Sequence, residues 1–217
     1  MSIYALRITH QTTMQIPSLT TAQALLDEAE RRNPGPWVAH TVYVAKAAKA
    51  IAQHHPQLDP DAAYILGLLH DIGRREGVSQ NRHIIDGYTF LQAKGFDDAA
   101  RICITHSFPF QDMAACVGKW DCTTAERELV RTYLAKISYT PYDELIQLCD
   151  ALALPTGFCL LEKRFVDVAI RYGTDDYTVQ RWQAWLGLQA KFDYKIGRSI
   201  YAVLSGVVEN TFGLGNA

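Results

Sequence analysis

Long apolar runs are missing from this chain of 217 residues. No stretch of 18 consecutive apolar residues occurs, so no membrane span is expected. No run of five like charges appears, and the net charge is −2. The basic footprint of a nucleic-acid binder is therefore absent. Cysteine is present but in the wrong pattern for a scaffold. Cys103, Cys116, Cys122, Cys149 and Cys159 are odd in number and include no C-x-x-C pair, which argues against a disulfide framework or a zinc knuckle. Residues 1–17 lack the charged segment and apolar stretch of a secretory leader. A reducing cytoplasm is the expected compartment. Neither a G-x-S-x-G elbow nor a P-loop is found. Strand-type alternation is scarce, and no repeat or low-complexity stretch occurs.

What is present reads as helix. Ala, Leu, Glu, Gln, Lys and Arg dominate the periodic segments. Ser18 or Thr20 can cap a first helix that runs to 32. Asn33-Pro34-Gly35-Pro36 breaks it, and a long helix follows over 37–54. Asp59-Pro60 is a carboxylate cap with proline at the first helical position. Further helices are expected over 60–72, 82–94, 97–107, 124–136, 142–154, 158–172, 178–191 and 194–204. The chain is predicted to be all-α, a single-domain helical bundle over 18–206. An N-terminal arm precedes it (1–17), and a frayed tail follows it (207–217).

Several helices break the rule that apolar faces are apolar. His40 shares a stripe with Val44, Ala47 and Ile51. His70 aligns with Leu66 and Leu69, with Asp71 one step round. His83 aligns with Gly87 and Phe90, His106 with Ile102 and Cys103, and Asp150 with Ile146 and Ala153. An unpaired buried carboxylate costs several kcal/mol as a rough order of magnitude. Four inward histidines and two inward aspartates share one economical partner, a pair of metal ions. Adjacent helical positions lie about 100° apart, so His70 and Asp71 can reach the same side of a helix end. Asp71 could bridge two ions with its two oxygens. His54 and His55, at a helix C-terminus favourable to a cation, read as structural.

In this arrangement the sequence resembles the HD superfamily of metal-dependent phosphohydrolases. The residues that carry the resemblance are His40, the string Leu68-Leu69-His70-Asp71-Ile72-Gly73-Arg74, and Asp150. His83 and His106 stand where members with two metals insert two histidines, as in the YqeK-type diadenosine polyphosphate hydrolases. The resemblance implies two divalent ions (Fe, Mn, Zn, Ni or Co). His40, His70, Asp71 and Asp150 would hold the first, and Asp71, His83 and His106 the second. It implies hydrolysis of a phosphate ester in a nucleotide or other small phosphorylated molecule by a metal-bridging hydroxide. Cations are then expected around the pocket. Arg74 and Arg75, which with Asp71 form the expected catalytic set, and Arg82, Lys163 and Arg164 are the candidates for holding substrate. Asp86 could orient a ligand, and Phe108-Pro109-Phe110 could wall the pocket. Two other uses of the fold compete: a dinuclear-iron oxygenase with the same six ligands, and a non-catalytic nucleotide sensor. A second copy of the chain is an open partner. Neither nucleic acid nor membrane is expected as one.

Overall fold

A computed structural model describes residues 14–214. Ten α-helices carry the described residues in the order α1 (Leu19–Arg32), α2 (Pro36–Ala52), α3 (Pro60–Leu69), α4 (Arg82–Gln92), α5 (Asp97–Thr105), α6 (Thr124–Lys136), α7 (Pro141–Leu152), α8 (Leu161–Tyr172), α9 (Thr178–Ile196) and α10 (Val207–Phe212). Their starts follow local chemistry. Ser18 Oγ accepts from Thr21 N, and Asp59 Oδ1 from Ala62 N, while Thr123 and Thr140 each close a capping box. No described helix is long and apolar enough to cross a membrane.

The core is built around α2, which packs on α3, α7 and the strand that follows α7. Val44, Ala47, Ile51, Leu66, Leu69, Ile146 and Leu148 are buried in it. A smaller core, with Ile84, Ile104, Phe108, Val130 and Leu134, seats α6 against α4 and α5. Two backbone approaches set the spacing. A Cβ on Gly67 would lie 2.7 Å from the Ala45 Cα, and one on Gly73 would overlap the His83 carbonyl oxygen. The first brings α3 against α2; the second brings the turn after α3 against α4.

Three segments depart from the sequence reading. The helix expected over 60–72 stops at Leu69, and a 3-10 turn spans Ile72–Glu76. The helix expected over 142–154 yields to a two-residue hairpin, β1 (Ala153–Leu154) with β2 (Gly157–Phe158). At the C-terminal end, α9 absorbs residues 194–196 and stops at Gly197, whose φ of +70° suits glycine. A 3-10 turn at Ile200–Val203 follows. The helix expected over 194–204 is therefore two separate elements. The end expected to fray contains α10, docked where Asn210 Nδ2 donates to Phe158 O (3.0 Å) and Leu160 N to Thr211 Oγ1 (3.0 Å). Of the expected arm, residues 1–13 lie outside the described residues. Gln15 N donates to Asp98 Oδ2 at 2.6 Å, pinning the adjoining segment to α5. His55, expected to be structural, is buried beside Phe192, and desolvation with Lys195 and Lys191 nearby lowers its pKa, so it does not act as a helix-end cation.

Gly67→Ala should therefore destabilise the fold, by about 1–3 kcal/mol for an overpacked core. Urea denaturation measures it. Unchanged stability would show that the α2–α3 contact tolerates a side chain.

Candidate metal centre

Each of the five elements that meet at the centre of the bundle brings an inward polar side chain. His40 comes from α2, and His70 and Asp71 from the end of α3. His83 comes from the first turn of α4, His106 from the residue that caps α5, and Asp150 from the last turn of α7. His70 is wholly buried, and Asp71, His83, His106 and His40 nearly so. The early end of α3 matters here. Asp71 leaves helical geometry (φ −105°, ψ 13°), and the chain turns away in the 3-10 segment. Gly73 permits that turn to lie on α4.

The four imidazoles are oriented in the same way. His40 Nδ1 meets Ala153 O at 3.2 Å, His70 Nδ1 meets Gly67 O at 2.8 Å, and His106 Nδ1 meets Ile102 O at 3.1 Å. His83 Nδ1 meets Gln80 O. A carbonyl oxygen can only accept, so each Nδ1 carries a proton, and in His70, His83 and His106, which burial keeps neutral, Nε2 is left as a bare lone pair. Those lone pairs face carboxylate oxygens. His83 Nε2 is 3.1 Å from Asp71 Oδ1, whereas His40 Nε2 makes a hydrogen bond of 2.9 Å with Asp150 Oδ1. His106 Nε2 is 3.7 Å from Asp71 Oδ1, and His70 Nε2 lies 3.8 Å from Asp71 Oδ2 and 3.9 Å from Asp150 Oδ1. Acceptors thus point at acceptors. His70 Nε2 and Asp71 Oδ1 are buried and make no hydrogen bond among the described residues. A cation between them removes the conflict, and imidazole with carboxylate is a donor set that divalent transition metals accept. Two groups have ligand atoms within 4.8 Å of one another: His40, His70 and Asp71, and Asp71, His83 and His106. Asp71 belongs to both.

Protonation states favour the same chemistry. Burial pushes the pKa of His106 down to about 4, helped by His70. Burial also lowers His70 and His83, the latter with Arg74 nearby. Burial alone would raise the Asp71 carboxyl, but Arg74, His83 and His70 hold it well below the usual carboxylate range. Asp150 is likewise opposed by burial and held low, chiefly by His40. His70, His83 and His106 are therefore neutral imidazoles and Asp71 and Asp150 ionised carboxylates near pH 7, the forms that bind metal.

The centre forms the floor of a cavity of about 520 Å³. Of the expected phosphate-binding cations, Arg74 and Arg164 line it. Arg74 Nε donates to Asp71 Oδ2 at 2.6 Å and so fixes that carboxylate. The other three lie elsewhere. Arg75 is buried against α1, where its Nη2 holds Glu28 Oε1 and Oε2 at 2.7 and 2.5 Å and its guanidinium lies 3.9 Å over the Phe90 ring. Arg82 pairs with Asp86 (3.4 Å) and Glu126 (3.3 Å). Lys163 is exposed on α8, outside the cavity. Arg75 and Lys163 are the chain neighbours of the cavity-lining Arg74 and Arg164, and Arg82 that of His83, but one step along the chain turns each side chain to another face. Asp86 serves Arg82 rather than a ligand, and Phe108 is a core residue stacked on Trp120.

Other residues of the cavity escaped the sequence reading. Arg171, Arg181, Trp37, Trp182 and Trp185 line its walls. Ser79 and Asn81 line it as well, and Asn81 Nδ2 and Ser79 Oγ are buried without a hydrogen-bond partner among the described residues. Asp121 acts from behind. Its two oxygens accept from Gln80 N (2.7 Å) and Arg82 N (2.8 Å), clamping the backbone whose carbonyl orients His83. No spacing rule would have linked Asp121 to His83 across this distance in the chain.

A model of the HD domain matches residues 37–154, more than half of the chain. This span runs from the start of α2 to β1 and contains all six inward residues. Comparison with curated proteins and with solved structures found no match.

Two outcomes are expected from this geometry. The folded pKa values of His70, His83 and His106 lie below their ordinary value of 6.5. As pH falls below about 6.5, the unfolded chain gains protons that the folded chain refuses. Stability of the metal-free protein should therefore decline between about pH 6.5 and 4, His106 alone contributing on the order of 3 kcal/mol. The lowered Asp71 and Asp150 add a further loss only below about pH 4. Denaturation midpoints that stay flat from pH 7 to 4 would contradict buried neutral rings. Separately, Asp121→Ala should weaken metal binding on the order of 10-fold by loosening His83. Titration calorimetry reads this, and unchanged affinity would reduce the clamp to a helix cap.

Proposed function

The chain belongs to the HD domain family, and from that premise we propose that it is a metal-dependent phosphohydrolase acting on a small, nucleotide-like phosphorylated molecule. The observation that carries the reading is the set of three Nε2 lone pairs, of His70, His83 and His106, turned on Asp71 and Asp150, with His40 beside Asp150. His40, His70, Asp71 and Asp150 would hold one ion, and Asp71, His83 and His106 a second. When bound, such ions polarise a phosphoryl oxygen and acidify a water, which supplies the nucleophile near neutral pH.

The chain's own residues do the rest. Arg74 holds one oxygen of Asp71 and leaves Oδ1 to face His83 and His106. Its guanidinium borders the cavity, where a planar fork of donors suits a phosphoryl group. Asn81 Nδ2 and Ser79 Oγ supply unspent donors on the same wall, placed to meet developing negative charge on a phosphoryl oxygen. Trp37, Trp182 and Trp185 give flat apolar walls suited to a ring. The free cysteines fit a reducing cytoplasm.

Protein loaded with manganese, cobalt, nickel, iron or zinc should release inorganic phosphate from phosphate monoesters or nucleotides. Asp71→Asn should lower kcat at least about 1,000-fold with the fold intact by circular dichroism. Wild-type rates in that variant, or no release from any ester under anaerobic or aerobic conditions, would overturn the reading.

A further inference from the structure

The cavity is larger than its floor requires, and its far wall is charged. Arg164 and Arg171 stand on α8 at positions i and i+7, with Asp167 between them, and all three line the cavity. The carboxylate of Asp167 is shared: Arg171 Nη2 donates to it at 2.8 Å, and Arg164 Nη1 reaches it only at 3.4 Å. Two guanidinium charges thus meet one carboxylate. Nε and Nη2 of Arg164 have no hydrogen-bond partner among the described residues, and its side chain is only 21% exposed. A guanidinium that is mostly withdrawn from water and has spare donors is a receptor for an acceptor group.

A second observation lies on α9. Trp185 lines the same cavity, and its Nε1 is buried with no hydrogen-bond partner among the described residues. Its ring packs 5.9 Å from Phe165, the residue next to Arg164. A buried N–H left unpaired costs free energy comparable to a lost hydrogen bond, so it too calls for an external acceptor. Arg181 does not share this role. Its Nη1 donates to Ala114 O at 2.7 Å and its Nη2 is held by Asp175 and Thr178, which makes it a strut between α9 and the loop before α6.

We propose that Arg164, Arg171 and Trp185 form a second anion subsite, separate from the ligand cluster, which selects substrates with a second anionic group, phosphate or carboxylate, in addition to the phosphate at the metal centre. This rests on the proposed hydrolysis only for the identity of the group at the floor. The subsite itself is a binding claim. It gives an acceptor to the donors of Arg164 and Trp185 that have none among the described residues, whereas the Arg181 guanidinium is engaged by Ala114, Asp175 and Thr178.

The test uses matched pairs that differ by one charge. Non-hydrolysable ligands come first: phenylphosphonate against 4-carboxyphenylphosphonate, and a nucleoside 5′-phosphonate against its 3′-phosphate derivative, titrated calorimetrically into metal-loaded protein. At least one bis-anion should bind 10-fold or more tightly than its mono-anionic partner. In Arg164→Gln with Arg171→Gln that preference should fall below 2-fold, while affinity for the mono-anion stays within 2-fold. The single Arg171→Gln, at a half-exposed site, should reduce the preference without perturbing folding. Arg198→Gln, which removes a charge outside the cavity, should leave it intact. The pair that keeps its preference shows whether the second anion is a carboxylate or a phosphate. No preference in the wild type for either pair, or a preference that survives the double substitution, overturns the subsite. Failure to hydrolyse the corresponding phosphate esters, with the phosphonate preference present, would instead count against the proposed reaction and leave the subsite standing.

Discussion

The structure depends on one unresolved electrostatic confrontation. Nε2 lone pairs of neutral imidazoles face ionised carboxylate oxygens in a buried centre, with Asp71 Oδ1 and His70 Nε2 lacking any hydrogen bond among the described residues. Hydrophobic packing cannot pay for this, because an unsatisfied buried acceptor loses its hydration and gains nothing. Protonating the rings would turn repulsion into attraction, yet burial drives His70, His83 and His106 the other way. A cation between these groups would resolve the conflict, and Asp71 belongs to both clusters that could hold one. The backbone carbonyls that fix each Nδ1, the Arg74 contact to the outer oxygen of Asp71, and the Asp121 clamp behind Gln80 all preserve that arrangement.

The bundle serves the centre by close approach. Gly67 lets α3 lie on α2, which brings His70 beside His40, with ring centroids 5.5 Å apart. Gly73 lets the turn after Asp71 touch α4, which brings His83 within reach of the carboxylate. The network around Asp143 fixes the end of α5. Arg101 and Thr105 donate to Asp143, and Gln147 donates to the Thr105 carbonyl beside His106. The inward residues from distant segments are therefore held by contacts that involve no metal, and preorganisation of this kind would limit the ordering cost of binding an ion.

Helical periodicity makes the floor of the site legible in the sequence. His40, His83, His106 and Asp150 lie on inward faces because the stripe that carries them is the stripe that packs. The walls are not legible for the same reason. Arg75 and Arg82 lie next in the chain to Arg74 and His83, but a step of one residue sends each guanidinium toward Glu28 or Glu126. Arg171, Trp185 and Asn81 reach the cavity through tertiary packing of α8, α9 and the loop before α4, which leaves no mark on local pattern. The early end of α3 and the hairpin after α7 also escape, since apolar periodicity continues through both and only backbone geometry records the stop. At the C-terminal end the stop is in view as Gly197, yet the apolar residues beyond it suggest one continuous helix.

The most direct test of the central claim is metal content by elemental analysis, on protein purified without chelator and then equilibrated with excess manganese or iron and desalted. The account expects two equivalents in the wild type, one in His83→Ala, and none retained in Asp71→Ala. Wild-type protein that binds no divalent ion, with its imidazoles found by nitrogen-15 NMR to be protonated and paired with the carboxylates at neutral pH, would contradict it.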